Sequence, residues 1–273
     1  MILQSLTKHI NDQNWFAVFI DFLIVVVGVF IGIQVANWNT ERIAQENEGD
    51  FLNRLHKDVI ELQDRRKQYD LDRPFLMNTF QEITDFLYGK QKDLSQAFAM
   101  SVEFTPSIKP VSGLPESLVC NSIDWSSAMT LPPALLPTAA ELVSAGRIND
   151  ISSIKLKDAL QTYLQQADRA EVYTHSIRQE TVLLSSEYPD LFDIRNHEWE
   201  NFEDPYGETY LKYSCDYAGM RENKAFLNAF AVNVNTFTNY ANRSVFTVTN
   251  KLELLHDVID QELGVSHNSN DSD

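Results

Sequence analysis

Between Phe16 and Val35 the chain carries 20 residues of which only Asp21 and Gln34 are strongly polar. No other feature restricts its fold as severely. As a helix this run is about 30 Å long, the thickness of a bilayer's hydrocarbon core. A single segment in lipid satisfies its own backbone groups only by being helical. Trp15 and Trp38 bracket the run, where indole rings favour the wet boundary of the membrane. A cleaved leader would need small residues at the last and third-last positions before the cut. Cut after Ala36, the third-last residue is Gln34, and cut after Gly32 it is Phe30. The expectation is an uncleaved signal anchor over residues 16–36, behind a flank of residues 1–15. Lys8 on one side and Arg42, Arg54 and Lys57 on the other discriminate little between orientations. The short leader favours an inside N-terminus and an outward-facing domain.

Three residues of the anchor are candidates for contact with another membrane helix. Asp21 lies six residues in from Trp15, about 9 Å along the axis. A carboxylate there either reaches headgroups and water or meets a partner helix. Gly28 and Gly32 form G-x-x-x-G, which lets two helix backbones approach closely. The bilayer is the first partner, and a second copy or another membrane protein is the second.

Beyond the anchor, 44% hydrophobic residues with nine glycines and nine prolines in 273 describe a chain that buries one core. Phe51, Leu55, Val59, Leu62 and Tyr69 recur at three and four, with Asp58, Glu61, Asp64, Arg65 and Lys67 around the rest of a stalk helix. Asp72-Arg73-Pro74 is expected to break it. Leu76, Phe80, Ile83 and Leu87 then repeat the pattern in the second arm of an antiparallel hairpin. Residues 101–137 hold six prolines and one glycine, an irregular segment read as a cover over the open end of a bundle, with Trp125 as its packing anchor. Pro137 suits a helix start, Gly146 its end, and Ser152 or Ser153 the next cap. Leu156, Leu160, Tyr163, Leu164 and Ala167 mark a further helix face. Phe226, Phe230, Val234 and Phe237 mark another, and Val248, Leu252, Leu255, Ile259 and Leu263 a third.

No run of strand alternation stands out, although Ser244–Thr249 is β-prone on propensity. The expected fold is all-α: an N-terminal transmembrane helix continuing into a stalk, then a helical-bundle-like soluble domain over 37–263. A disordered polar tail follows over 264–273.

Chemistry is harder to find. A formal charge of −17 repels nucleic acid, so nucleic acid binding is not expected. Cys120 and Cys215 match no zinc spacing and are either two buried thiols or one disulfide. Among the six histidines, His56, His175 and His256 fall within helices, and none shows a ligand spacing on one helix face. No catalytic, cofactor or metal residue is therefore named, and no cofactor is expected. Between Glu187 and Asp216, acids interleave with Tyr and Trp, either as a solvated excursion between helices or as a surface for a cationic partner. Glu198, Glu200, Glu203 and Asp204 are the candidates there.

"FLIVVVGVFIGIQVANWNTER", followed by "FLNRLHKDVIEL" and later by "AAELVSAGRINDISSIKLKDALQTYL", resembles a family of uncharacterised bacterial single-pass membrane proteins. In that family the anchor ends in Gln-x-x-Asn-Trp-Asn, matched here by Gln34, Asn37, Trp38 and Asn39. A later helix-turn-helix carries Ser-x-Gly, matched by Ser144 and Gly146. The resemblance covers about the first 60 residues and roughly residues 138 to 180. It implies a bacterial inner-membrane location and no activity. The reading is a single-span protein with a periplasmic domain for sensing, scaffolding or complex assembly. The alternative is an enzyme whose active site is assembled from distant residues.

Overall fold

The computed structural model describes residues 15–90, 116–201 and 209–265. The chain divides into two compact units, residues 1–53 and 54–273. The Pro-rich residues 101–115 and most of the polar tail lie outside the described residues.

The first unit contains the start of helix α1, Trp15–Leu87. Its most apolar 18-residue window has a mean hydropathy of 2.5 and no buried residue, so it is long and apolar enough to span a membrane. Asp21, Gly28 and Gly32 are all exposed on it, and a Cβ added at either glycine meets nothing within 4 Å.

The second unit begins with the remainder of α1, and here the expected break does not occur. The helix passes through Pro74 and ends at Leu87, with Gly89 following at φ +72°. An interior proline costs roughly 3 kcal/mol in a helix. Leu76, Phe80, Ile83 and Leu87, all 5% exposed or less, gain about 1.5–3 kcal/mol each by burial and outweigh it. Pro74 itself is exposed, which keeps its ring out of the packed face. A single helix therefore replaces the expected antiparallel hairpin.

Among the described residues the remaining elements are helical except for one ribbon. Helix α2 (Glu116–Asp124) leads through a 3₁₀ turn (Trp125–Ser127) into an extended strap, residues 128–136. Helix α3 (Pro137–Ser144) starts on proline and ends at Gly146, φ +69°. Its Thr138 N–H is met by Asp58 Oδ2 of α1 at 2.7 Å. Helix α4 (Ile154–Ile177) is capped by Ser153, whose hydroxyl accepts from the Leu156 N–H. It buries the expected Leu156, Leu160 and Tyr163. Helices α5 (Leu184–Glu187), α6 (Tyr217–Glu222), α7 (Lys224–Tyr240) and α8 (Thr247–Leu263) complete the set.

Ser244–Thr249, β-prone on propensity, lies across a wide π turn (Ala241–Phe246) and the start of α8. Burial of Tyr240, Ala241, Ser244, Val245 and Val248 at helical spacing overrides the local preference there.

Strands β1 (Phe192–Asn201) and β2 (Thr209–Cys215) pair antiparallel where an irregular excursion between helices was one expectation. Phe192 pairs with Cys215 and Asn201 with Thr209, and the register is interrupted between Arg195 and Trp199. That bulge breaks the period-two pattern of β1, which is why no alternation stands out in sequence. Leu211, Tyr213 and Cys215 do alternate with Lys212 and Ser214.

Cys120 and Cys215 form a disulfide, with Cα atoms 5.6 Å apart, and it ties α2 to the end of β2. Around it Ile83, Leu87, Ile123, Leu184, Met220, Phe226 and Phe230 form one buried cluster. Leu76, Phe80, Met129, Ile177, Phe237 and Tyr240 form a second. Phe80 and Phe237 meet edge to face at 5.0 Å, a favoured aromatic geometry.

Candidate functional site

The buried face of α1 has an uninterrupted spacing of three and four: Leu55, Val59, Leu62, Arg66, Tyr69, Arg73, Leu76, Phe80, Ile83 and Leu87. Two of its positions are arginines, 1% and 7% exposed respectively. A buried guanidinium persists only where its N–H groups find acceptors.

Arg66 finds them on three sides. Its Nη1 donates to the Pro133 carbonyl at 2.7 Å and its Nη2 to the Val245 carbonyl at 2.9 Å. Nε and Nη2 both donate to the Thr249 hydroxyl, at 3.1 and 3.0 Å. That hydroxyl in turn donates to Asp70, 2.8 Å from Oδ1, and so bridges cation and carboxylate. Burial pushes the Asp70 carboxyl above its ordinary value, against the opposing pull of the Thr249 hydrogen bond, Arg66 and Arg73. Burial likewise lowers Arg66, partly offset by Asp70. A guanidinium starts so high that it stays charged.

Arg73 donates to the Thr130 hydroxyl at 2.7 Å and lies over the Tyr69 ring, 4.6 Å from its centroid.

These contacts answer where an extended segment inside a helical domain sends its backbone carbonyls. Met129 O accepts from Arg178, Thr130 O from the Tyr240 hydroxyl, Pro133 O from Arg66, and Ala134 O from the Tyr163 hydroxyl at 2.6 Å. Side chains from α1, α4, α7 and the turn after α4 thus clamp the strap. Burial raises the Tyr163 phenol to about 12, so it stays a neutral donor at neutral pH. Trp125, expected to anchor this segment, is half-buried just ahead of it.

Under the strap lies a cavity of about 250 Å³. Its apolar lining comes from Leu131, Leu136, Leu164, Ala167 and Val248, with Arg66 in its wall and Asp168 and Glu171 on α4. Both acids are exposed. Its volume is just below the roughly 300–1,000 Å³ of ordinary ligand pockets and suits only a compact ligand.

The residues singled out in sequence lie elsewhere. Asp21, Gly28 and Gly32 occupy the first unit, as does Trp38, which is 66% exposed. Trp15 is the first residue of α1. Glu198 and Glu200 fall in β1, while Glu203 and Asp204 lie outside the described residues. Arg66 and Arg73 escaped notice, although the apolar pattern marks their places as gaps at the right spacing. A second polar cluster also went unseen. His256 and Asp260, four apart on α8, meet His56 of α1, contrary to the expectation that no histidine has a ligand spacing on one helix face.

No protein-family model matches the chain, and neither a curated protein nor a solved structure is significantly similar to it.

Proposed function

We propose that the chain is a single-span protein of the bacterial inner membrane whose helical domain lies in the periplasm and acts as a ligand sensor. The observation that carries the sensing role is the cavity between the strap and α4. It is apolar within and bordered by Asp168 and Glu171. Arg66 spends its N–H groups largely on the strap and Thr249, so a ligand's charge is better met by the two acids. The ligand class that fits is a small cationic amphiphile, with its hydrocarbon among Leu131, Leu136, Leu164 and Val248 and its positive end at Asp168 and Glu171. Binding would draw strap and helix together, which is a signal a membrane helix can relay. The Cys120–Cys215 bond supports the periplasmic side, since structural disulfides persist in oxidising compartments. The resemblance to bacterial single-pass proteins supports the membrane.

The test is a thermal-shift series on the full chain in detergent. Short alkylammonium ions are compared with their neutral alcohol isosteres, on the native protein and on Ala167→Leu, which fills the cavity. The expected result is a shift with the cations alone, absent in Ala167→Leu and reduced in Glu171→Gln. No shift with any cation, or a shift untouched by Ala167→Leu, refutes the sensing role. A complex-assembly role instead rests on the exposed Asp21, Gly28 and Gly32. It predicts that Asp21→Leu reduces the native complex size.

A further inference from the structure

The structure assigns a divalent transition-metal site to His56, His256 and Asp260, where α1 and α8 meet. His56 Nε2 stands 3.2 Å from His256 Nε2 and 3.0 Å from Asp260 Oδ1, and His256 Nε2 stands 3.5 Å from the same oxygen. Two ring nitrogens and one carboxylate oxygen thus close a nearly regular triangle, from residues 200 apart in sequence.

The size of that triangle carries the argument. Zinc binds histidine nitrogen and carboxylate oxygen at about 2.0–2.2 Å, and tetrahedral donors at that radius sit about 3.3–3.5 Å apart. The observed edges run from a few tenths of an ångström below this range to its upper end. The circle through the three donor atoms has a radius of about 1.9 Å, so an ion at about 2.05 Å from each sits roughly 0.8 Å off their plane. All three donors thus reach bonding distance together, and the 3.0 Å edge opens by a few tenths of an ångström to become tetrahedral. A purely hydrogen-bonded cluster would let both imidazoles share the one carboxylate oxygen, and nothing in that arrangement requires the two ring nitrogens to stand 3.2 Å apart.

Two further facts fit. His256 and Asp260 are four apart on one helix, so they present donors on one face, one turn from each other. Each of the three side chains keeps 15–16% exposure, enough for an ion to arrive from solvent and for its remaining coordination position to hold water. Near them in sequence, Leu55 and Val59 on α1 and Leu252, Leu255 and Ile259 on α8 are fully buried. Two imidazoles and one carboxylate suit zinc and the neighbouring ions iron(II), cobalt(II) and nickel(II), and suit calcium and magnesium poorly. The ion bolts α1 to α8 and leaves one face open, either to water or to a donor from a partner.

The experiment uses the untagged full chain in detergent, stripped of metal with a chelator and then dialysed. Cobalt(II) titration should give visible d–d absorption that saturates at one ion per chain. Zinc should abolish it by displacement and raise the melting temperature. His256→Ala and Asp260→Ala should each weaken zinc affinity, measured against a chromophoric chelator, by about a hundredfold or more. His175→Ala should leave it unchanged. Because a ligand variant can also weaken the fold, the native-protein cobalt spectrum stands as an independent criterion. No absorption at stoichiometric cobalt, or zinc affinity indifferent to both ligand substitutions, overturns the assignment.

Discussion

Replacing Arg66 by methionine keeps the apolar stem and volume while removing every donor. Four hydrogen bonds disappear, to the Pro133 carbonyl, the Val245 carbonyl and twice to the Thr249 hydroxyl. Asp70 also loses the cation opposite it. Bonds to a charged donor contribute about 1.5–3 kcal/mol each, but they share one guanidinium and do not add. Breaking one side of a buried charge pair costs about 3–5 kcal/mol, and that is the expected loss. For a unit of this size each kcal/mol moves the midpoint by about 2–4 °C, so thermal unfolding should fall by roughly 10–15 °C. Urea unfolding of the full chain in detergent supplies the free energy. Hydrogen exchange locates the loss, with protection decreasing in the strap at residues 128–136 before it does in α4. A cycle of Arg66→Met with Thr249→Val should show coupling of about 1–3 kcal/mol. If Arg66→Met unfolds within about 1 kcal/mol of the native chain, or the strap's exchange is unchanged, the arginine does not hold the strap and the reasoning fails.

Reduction of Cys120–Cys215, separated by 95 positions, removes a cross-link worth about 4–5 kcal/mol in the loop-closure treatment, and an unchanged urea midpoint after reduction would refute that contribution. Asp70, Asp72 and Asp124 all have carboxyls raised by burial. Between their folded values and the unfolded value near 3.8 the native state holds more protons than the unfolded state. Stability should therefore rise on acidification through that window and fall again as pH climbs, the reverse of a domain held by exposed ion pairs; a monotonic loss from pH 7 downward would contradict it. At the alkaline end the unfolded Tyr163 ionises near 10 while the folded one holds its proton to about 12, so stability should drop across that interval, and less so in Tyr163→Phe. In Gly219→Ala the new Cβ would stand 2.4 Å from Asp216 Oδ2 and 3.0 Å from Leu191. It should cost about 1–3 kcal/mol by disrupting the Asp216 cap on the Gly219 N–H, and a neutral urea midpoint would refute the clash.

What was legible in sequence followed the apolar periodicity. A helix long and apolar enough to span a membrane, the caps at Ser153 and Gly146, and the faces of α4, α7 and α8 all follow from spacing and local chemistry, and the structure has them. Pro74 misled because its local cost is visible in sequence, while the burial of Leu76, Phe80 and Ile83 beyond it is a tertiary gain. The hairpin was hidden by a bulge that offsets β1 by several residues. The candidate site was hidden for a different reason. Arg66, Pro133, Val245 and Thr249 are united only by the fold, as are His56 and Asp260, and neither group makes a motif in one dimension. The signals available in sequence were two arginines filling gaps in an otherwise apolar stripe and the four-residue spacing of His256 and Asp260 on α8.

The most direct test of the central claim uses one substitution, Ser272→Cys, in the full chain expressed in intact bacterial cells. A maleimide too polar to cross the inner membrane is applied after permeabilising the outer one. Because Cys120 and Cys215 are paired, they need no replacement. The account predicts that position 272 labels before lysis and that the native cysteines label only after reduction. Protection of position 272 until lysis, with Cys120 and Cys215 labelling as free thiols, would place the domain in the cytoplasm and contradict it.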